Sequence, residues 1–205
     1  MSDPAHPKIA RPDHDILDVI RQRWSPRAFN PAREVSRADL RRLFEAARWA
    51  PSSFNEQPWR FVVADRRLSP DAFAALHASL VPANRLWSVG VPTLVLVAVR
   101  TTLERDNAVN AHAWYDAGQA VAFLALQATA GDLAIRQVQG FDLEAARRAC
   151  LVPAPFEPAV ILAIGYAGDP DVLTIDKHRA AERTPRQRRT IDEFVFEGTW
   201  GRSLI

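Results

Sequence analysis

The chain predicts a three-layer sandwich, α/β or α+β, with one sheet covered by helices on both faces. Three observations carry this. Strand-like apolar runs are separated by segments of helical period. Two of those runs, "PTLVLVAVR" (Pro92–Arg100) and "PAVILAIGYAG" (Pro158–Gly168), are continuously apolar, as in strands buried on both sides. Finally, 205 residues with 48% hydrophobic and 24% charged side chains suit one globular domain that buries a full core without staples.

The elements follow in order. "HDILDVIRQR" (His14–Arg23) carries Ile16, Leu17 and Ile20 at helical spacing. "SRADLRRLFEAARWA" is the clearest helix: Ser36 and Asp39 make a start like a capping box, Leu40, Leu43, Phe44 and Ala47 share a face, and Pro51 stops it. A strand at Trp59–Ala64 follows. "SPDAFAALHASL" opens a helix with Ser69 as N-cap and Pro70 in the first turn. After the Pro92–Arg100 strand, Asn107–Gly131 reads as a long central helix ending at its glycine. Asp142 caps a short helix running through Cys150. The Pro158–Gly168 strand comes next, and "TIDEFVFEGTW" reads as an extended tail. There is no internal repeat, low-complexity tract or linker, so one domain is expected.

Composition removes several functions. A single cysteine, Cys150, excludes an intramolecular disulfide framework. No apolar run approaches bilayer length, and the first residues lack the apolar stretch of a signal peptide. A soluble cytoplasmic protein without membrane contact is the expectation. The net charge of +2 makes no strong case for nucleic acid, and the basic segment has no aromatic stacking array beside it. That segment does concentrate charge: Lys177, Arg179, Arg183, Arg186, Arg188 and Arg189 surround one acid, Glu182. It reads either as a solvated face or as an anion site.

Familiar catalytic motifs are missing. There is no GxGxxG, GxxxxGK[ST] or GxSxG. The five histidines lack metal-ligand spacing, so no metal is expected. Glu104 and Asp106 read as surface charge, and His112 and Tyr115 as packing residues. The chemistry is therefore expected from a cofactor.

Three segments point to one. In "RQRWSPRAF", Arg23, Ser25 and Arg27 cluster after a predicted helix; a helix end decorated with cations is the simpler reading. "PSSFNEQPW" (Pro51–Trp59) packs hydrogen-bonding side chains between two prolines, which is either a self-capping turn or a polar clamp. "RQVQGFD" (Arg136–Asp142) holds a glycine that permits close approach to its backbone, or that simply turns the chain.

In order and spacing these segments resemble the nitroreductase family of flavin enzymes. The matches are Arg23-Trp24-Ser25-Pro26-Arg27, "PSSFNEQPW" at Pro51–Trp59, Gly140-Phe141-Asp142 and Arg186-Gln187-Arg188, within a resemblance running from about residue 14 to about 197. It implies an α+β (α/β/α sandwich) fold, with a mixed, mainly antiparallel sheet flanked by helices. It also implies an intertwined homodimer with FMN at the subunit interface. The single domain then spans 1–205, with an N-terminal tail at 1–13 and a C-terminal extension at about 185–205. The implied activity is ping-pong: NADH or NADPH delivers hydride to flavin N5, and the flavin then reduces an electron-poor acceptor such as a nitroaromatic or quinone. Arg23, Ser25, Arg186 and Arg188 would hold the 5′-phosphate and ribityl chain. Arg27 would lie at N1 and O2, and Gly140 would present its N–H to N5; these two are the catalytic candidates. Pro51, Ser52, Ser53 and Asn55 would reach the flavin of the other subunit, with Gln57 either contacting it or holding the loop. Asn84 would contact the pyrimidine edge. Trp24 and Gln139 lie near the expected flavin and depart from the usual pattern, so substrate preference does not transfer. A flavin-binding protein without turnover, and a specialised branch such as reductive dehalogenation, are the alternatives.

Overall fold

The computed structural model describes residues 6–204. Helices α1 (Asp18–Gln22) and α2 (Arg37–Arg48) precede strand β1 (Trp59–Asp65). Helices α3 (Pro70–Ala78) and α4 (Pro82–Trp87) lead to β2 (Thr93–Arg100). The central helix α5 (Ala113–Ala130), β3 (Ala134–Val138), α6 (Leu143–Cys150), β4 (Phe156–Gly165) and α7 (Asp176–Arg183) complete the order. The sheet runs β1-β2-β4-β3, and all three pairings are antiparallel. The strand order puts β1 and β3 at opposite edges.

Pleating explains the two cores. On β2, Val95, Val97 and Val99 face α2 and α5, packing with Leu40, Leu43, Trp59, Val121, Leu124 and Ile164. Leu94, Leu96 and Ala98 face the other way and meet Phe73, Leu76, Leu80, Trp87 and Ile161 beneath α3, α4 and α6. A strand whose successive side chains enter two different cores has no polar face, hence its unbroken apolar sequence.

Several expected boundaries move. The first helix shrinks to Asp18–Gln22, leaving Ile16, Leu17 and Ile20 substantially exposed. Short helices persist through packing, and this one touches α5 while leaving those three side chains largely in solvent. The central helix starts at Ala113 rather than Asn107. Asn107 is left-handed (φ 57°), the Asn110 side chain accepts from His112 N–H, and Thr102 bridges Val109, so local turns hold this stretch. Ser36 caps α2 as expected, accepting from Asp39 N–H at 3.0 Å, and Asp142 caps α6 through Ala145 N–H at 2.9 Å. Ser69 does not cap its helix: its hydroxyl exchanges hydrogen bonds with the Asp65 backbone.

The C-terminal stretch is not simply extended. It makes a single turn at Ile191–Glu193, with a Thr190/Glu193 capping box, and folds back so that Phe196 bridges Ser203. Of the expected N-terminal tail, residues 1–5 lie outside the described residues. The remainder is docked: Lys8 Nζ donates to the carbonyls of Ala181 and Thr184 at the end of α7, and Ala10 N–H donates to Arg21.

Leu124 is fully buried between α2 and the sheet. Leu124→Ala is expected to cost about 2–5 kcal/mol through lost burial and the cavity left behind, read as a lower denaturant midpoint with an unchanged slope.

Candidate functional site

The segment from Arg21 to Ala28 carries little regular structure, and charged side chains from elsewhere hold it in place. Arg186 donates to the carbonyls of Arg23 (2.5 Å) and Arg21 (2.6 Å). Arg136, on edge strand β3, donates to the Ser25 carbonyl at 2.8 Å. Glu182, on α7, accepts from the N–H groups of Arg27 at 3.1 Å and Ala28 at 3.5 Å. An isolated bridge from Phe29 to Ala167 then joins the segment to the end of β4.

Five arginines, Arg11, Arg23, Arg186, Arg188 and Arg189, line one cleft of ≈650 Å³ together with Asp13 and His14; Arg23, Arg186 and Arg188 interact most closely. Burial, then the Arg188 cation, lowers the Arg23 pKa; burial, then Arg23 and Arg188, lowers that of Arg186. No carboxylate pairs with any of the three among the described residues. Arg186 was expected on a phosphate, yet both its terminal nitrogens grip backbone, while its buried Nε has no partner. Arg23 also donates to Ser25 Oγ at 3.2 Å. The rest of the basic segment is used locally: Arg179 pairs with Asp176, and Arg183 with Asp171.

Arg27 leaves this backbone half-buried, near Arg136, whose pKa falls to about 10 through burial first and Arg27 second. Trp24 turns toward the N-terminal residues, 5.3 Å from the His6 ring and 5.9 Å from Lys8 Nζ.

Gly140 lies just past the end of β3. A Cβ there would sit 2.6 Å from Asn84 Nδ2 and 3.0 Å from a Val81 methyl, so only glycine fits. Its carbonyl accepts from Val81 N–H and Asn84 Nδ2, while its own N–H has no partner among the described residues. Asn84 was expected at a ligand edge. The structure instead uses both ends of its amide: Nδ2 on Gly140 and Oδ1 as acceptor from Trp87 Nε1 at 3.0 Å. Gln139 is exposed, and its carbonyl accepts from Phe141 N–H.

The Pro51–Gln57 loop lies elsewhere, leading into the opposite edge strand, β1. Phe54, Asn55 and Gln57 adopt left-handed φ of 52°, 57° and 46° without a glycine among them. The buried carboxylate of Asp116, on α5, accepts from Ser53 N–H at 3.0 Å; Ser52 Oγ accepts from Gln57 N–H, and Gln57 Nε2 donates to the Asn55 carbonyl. Gln57 therefore holds the loop. Asn55 keeps an exposed side chain with no internal partner. Three strand spacings, about 14 Å, separate this edge from β3. One chain thus brings Arg23, Ser25, Arg27, Gly140, Arg186 and Arg188 to one side, and Ser52, Ser53 and Asn55 to the other.

Sequence reasoning gave no role to Arg136, Lys8, Asp116 or Glu182. Two of these had a signal, since Asp116 is the lone charge in its helix and Glu182 the lone acid in the basic segment. A larger depression of ≈830 Å³ runs along α2. It is open, and two of its three arginines are paired within α2, Arg48 with Glu45 and Arg42 with Asp39.

The fold and these two half-sites define an α+β sandwich that carries a cation-lined cleft beside an edge strand. The model of the nitroreductase family matches residues 20–166, and the chain belongs to that family. The chain is 37% identical over 98 residues to the major NAD(P)H-flavin oxidoreductase of Aliivibrio fischeri, a match covering 46% of this chain and 43% of that protein. It is 31% identical over 153 residues to an uncharacterised 15.4 kDa protein of Mycolicibacterium smegmatis, covering 71% of this chain and 99% of the other. Among solved structures, an oxidoreductase containing FMN superposes with a TM-score of 0.87 at 27% identity, over 99% of this chain and 100% of that one. The match thus spans under half the length of the Aliivibrio protein.

Gly140→Ala is expected to destabilise the protein by about 1–3 kcal/mol through overpacking. Combined with Asn84→Ala, the loss should be smaller than the sum of the two single losses, as measured by thermal melting of all three variants.

Proposed function

We propose that this chain is an FMN-dependent NAD(P)H oxidoreductase of the nitroreductase kind, acting on electron-poor acceptors such as nitroaromatics or quinones. The observation that carries the reading is the uncompensated convergence of Arg23, Arg186 and Arg188 on one cleft. Cations left unpaired so close together repel one another, and a dianionic phosphate relieves that repulsion through several charged hydrogen bonds. The names of relatives and neighbours agree: NAD(P)H-flavin oxidoreductase in Aliivibrio, and FMN in the superposed structure.

The residues fit the cofactor. Arg23 and Arg188 have donor groups free for the phosphate. Arg186 adds charge from behind, and its Nε is a buried donor in want of an acceptor. Gly140, whose carbonyl is held by Asn84 and Val81 and whose N–H has no partner among the described residues, would donate to flavin N5, and Arg27 would stand at N1 and O2. When bound, FMN supplies the redox chemistry, accepting hydride from NAD(P)H and passing electrons to the acceptor. The protein holds the ring and offers positive charge where reduction places negative charge.

The loop carrying Ser52, Ser53 and Asn55 cannot serve the same ring as Gly140 within one chain. A homodimer in which each loop reaches the partner's flavin resolves this. The outer face of α5 supports it: Trp114, Tyr115, Gly118, Ala122 and Phe123 are exposed, with no charged side chain among them.

The deciding measurement is the absorption spectrum of the purified protein before and after NADH or NADPH, without oxygen. A flavin spectrum that bleaches supports the reading. A flavin that stays oxidised leaves a binding or sequestering protein, and absence of flavin removes the assignment. Arg188→Ala is expected to weaken FMN about ten- to a hundredfold, the loss of one charged hydrogen bond of about 1.5–3 kcal/mol, with less effect on riboflavin. In FMN-loaded protein, Arg27→Met should lower the midpoint potential by about 30 mV, equivalent to about 1.4 kcal/mol for two electrons. In heterodimers of wild-type and Asn55→Ala chains, light scattering should report dimers in which one flavin of two is weakened.

A further inference from the structure

One buried carboxylate has no part in the reading above. Glu182 is 2% exposed. Its oxygens accept from Arg27 N–H at 3.1 Å and Ala28 N–H at 3.5 Å. No cation lies within ion-pair distance of it among the described residues. A charge withdrawn from water needs compensation. Here it comes from the two N–H groups and from the through-space attraction of Lys8 and Arg136. Lys8 feels Glu182 as an attraction and Arg27 and Arg186 as repulsions, while Arg136 feels Arg27 as a repulsion and Glu182 as an attraction. His178, on the same helix, is held below the usual histidine range by burial first, then by Arg27 and Arg136.

Arg136 holds the same segment from edge strand β3. It donates to the Ser25 carbonyl at 2.8 Å, and its guanidinium lies 5.2 Å from the centre of the Trp87 ring. A carboxylate therefore grips the backbone at Arg27 and Ala28, and a guanidinium grips it two residues earlier, at Ser25.

We infer that Glu182 is the positioning residue and counter-charge of Arg27, and that the set Glu182, Arg27 and Arg136 fixes the electrostatic potential that Arg27 presents to its ligand. This rests on the proposed flavin site. Burial makes each charge act further than it would in water. Reduction of a flavin beside Arg27 adds negative charge, so the two guanidinium groups favour the reduced form and Glu182 opposes them. Glu182 keeps the potential lower than Arg27 and Arg136 alone would set it.

The test uses FMN-loaded wild type, Glu182→Gln and Arg136→Met. Midpoint potential is read by spectroelectrochemistry, FMN affinity by fluorescence quenching, and stability by melting of the apoprotein. Glutamine keeps an oxygen to accept the Arg27 N–H but carries no charge. Glu182→Gln is expected to move the equilibrium about tenfold toward reduced flavin, a rise of about 30 mV for two electrons, and Arg136→Met to move it the other way. A Glu182→Gln protein with altered melting but an unchanged or lowered potential overturns the inference and leaves Glu182 a structural strut. Where Glu182→Gln does not fold, Arg136→Met decides: a lowered potential supports the inference, and an unchanged one overturns it. Failure of the flavin reading shows separately, in wild type that takes up no FMN, and it removes this inference as well.

Discussion

The site depends on charged side chains that bind backbone rather than one another. The Arg21–Ala28 segment has one short helix and no strand, so its own amides cannot define its course. Arg186, Arg136 and Glu182 do this from the C-terminal region, β3 and α7. A charged group on an amide makes a stronger hydrogen bond than a neutral one. It also leaves its charge in the neighbourhood, where a salt bridge would have neutralised it. Of the three, Arg186 lines the cleft, so the contact that fixes the backbone there also leaves a positive charge facing it.

The sheet divides the site. Antiparallel order places β1 and β3 at opposite edges, with the Asp116-anchored loop at one and Gly140 at the other. Each edge is stiffened by its own means. Asp116, Ser52 and Gln57 hold three left-handed non-glycine residues in the loop, and Asn84 and Val81 leave no room for a side chain at position 140. The loop's left-handed residues are a costly local conformation, and such conformations persist only where surrounding contacts over-determine them.

The layers, β2, β4 and the capped helices α2 and α6 could be read from sequence, because periodicity and capping are local signals. The short strand β3 could not. Its five residues, "AIRQV", include an arginine and a glutamine, and it takes its identity from pairing with β4. Helix α7 was hidden by its charge: "DKHRAAER" reads as a solvated basic run, which it is for Arg179 and Arg183. At the site, the two arginine motifs hold Arg23, Arg186 and Arg188, which line one cleft, but neither they nor "PSSFNEQPW" tell what each side chain touches. Asn84 and Gln57 turn inward to brace their loops, and Arg186 turns to backbone. A motif records that an amide or a cation is needed at a position, and the direction it faces is settled by tertiary contacts.

The Arg186 contacts also bear on the order of folding. They join residues 163 and 165 positions apart, among the longest sequence separations in the molecule. Closing so large a loop is entropically slow, and it requires a surface on which the late segment can dock. The surface here is the Arg21–Arg23 backbone, and the cleft draws its cations from both ends of the described chain, Arg11 and Arg23 before the sheet in sequence and Arg186 and Arg188 after it.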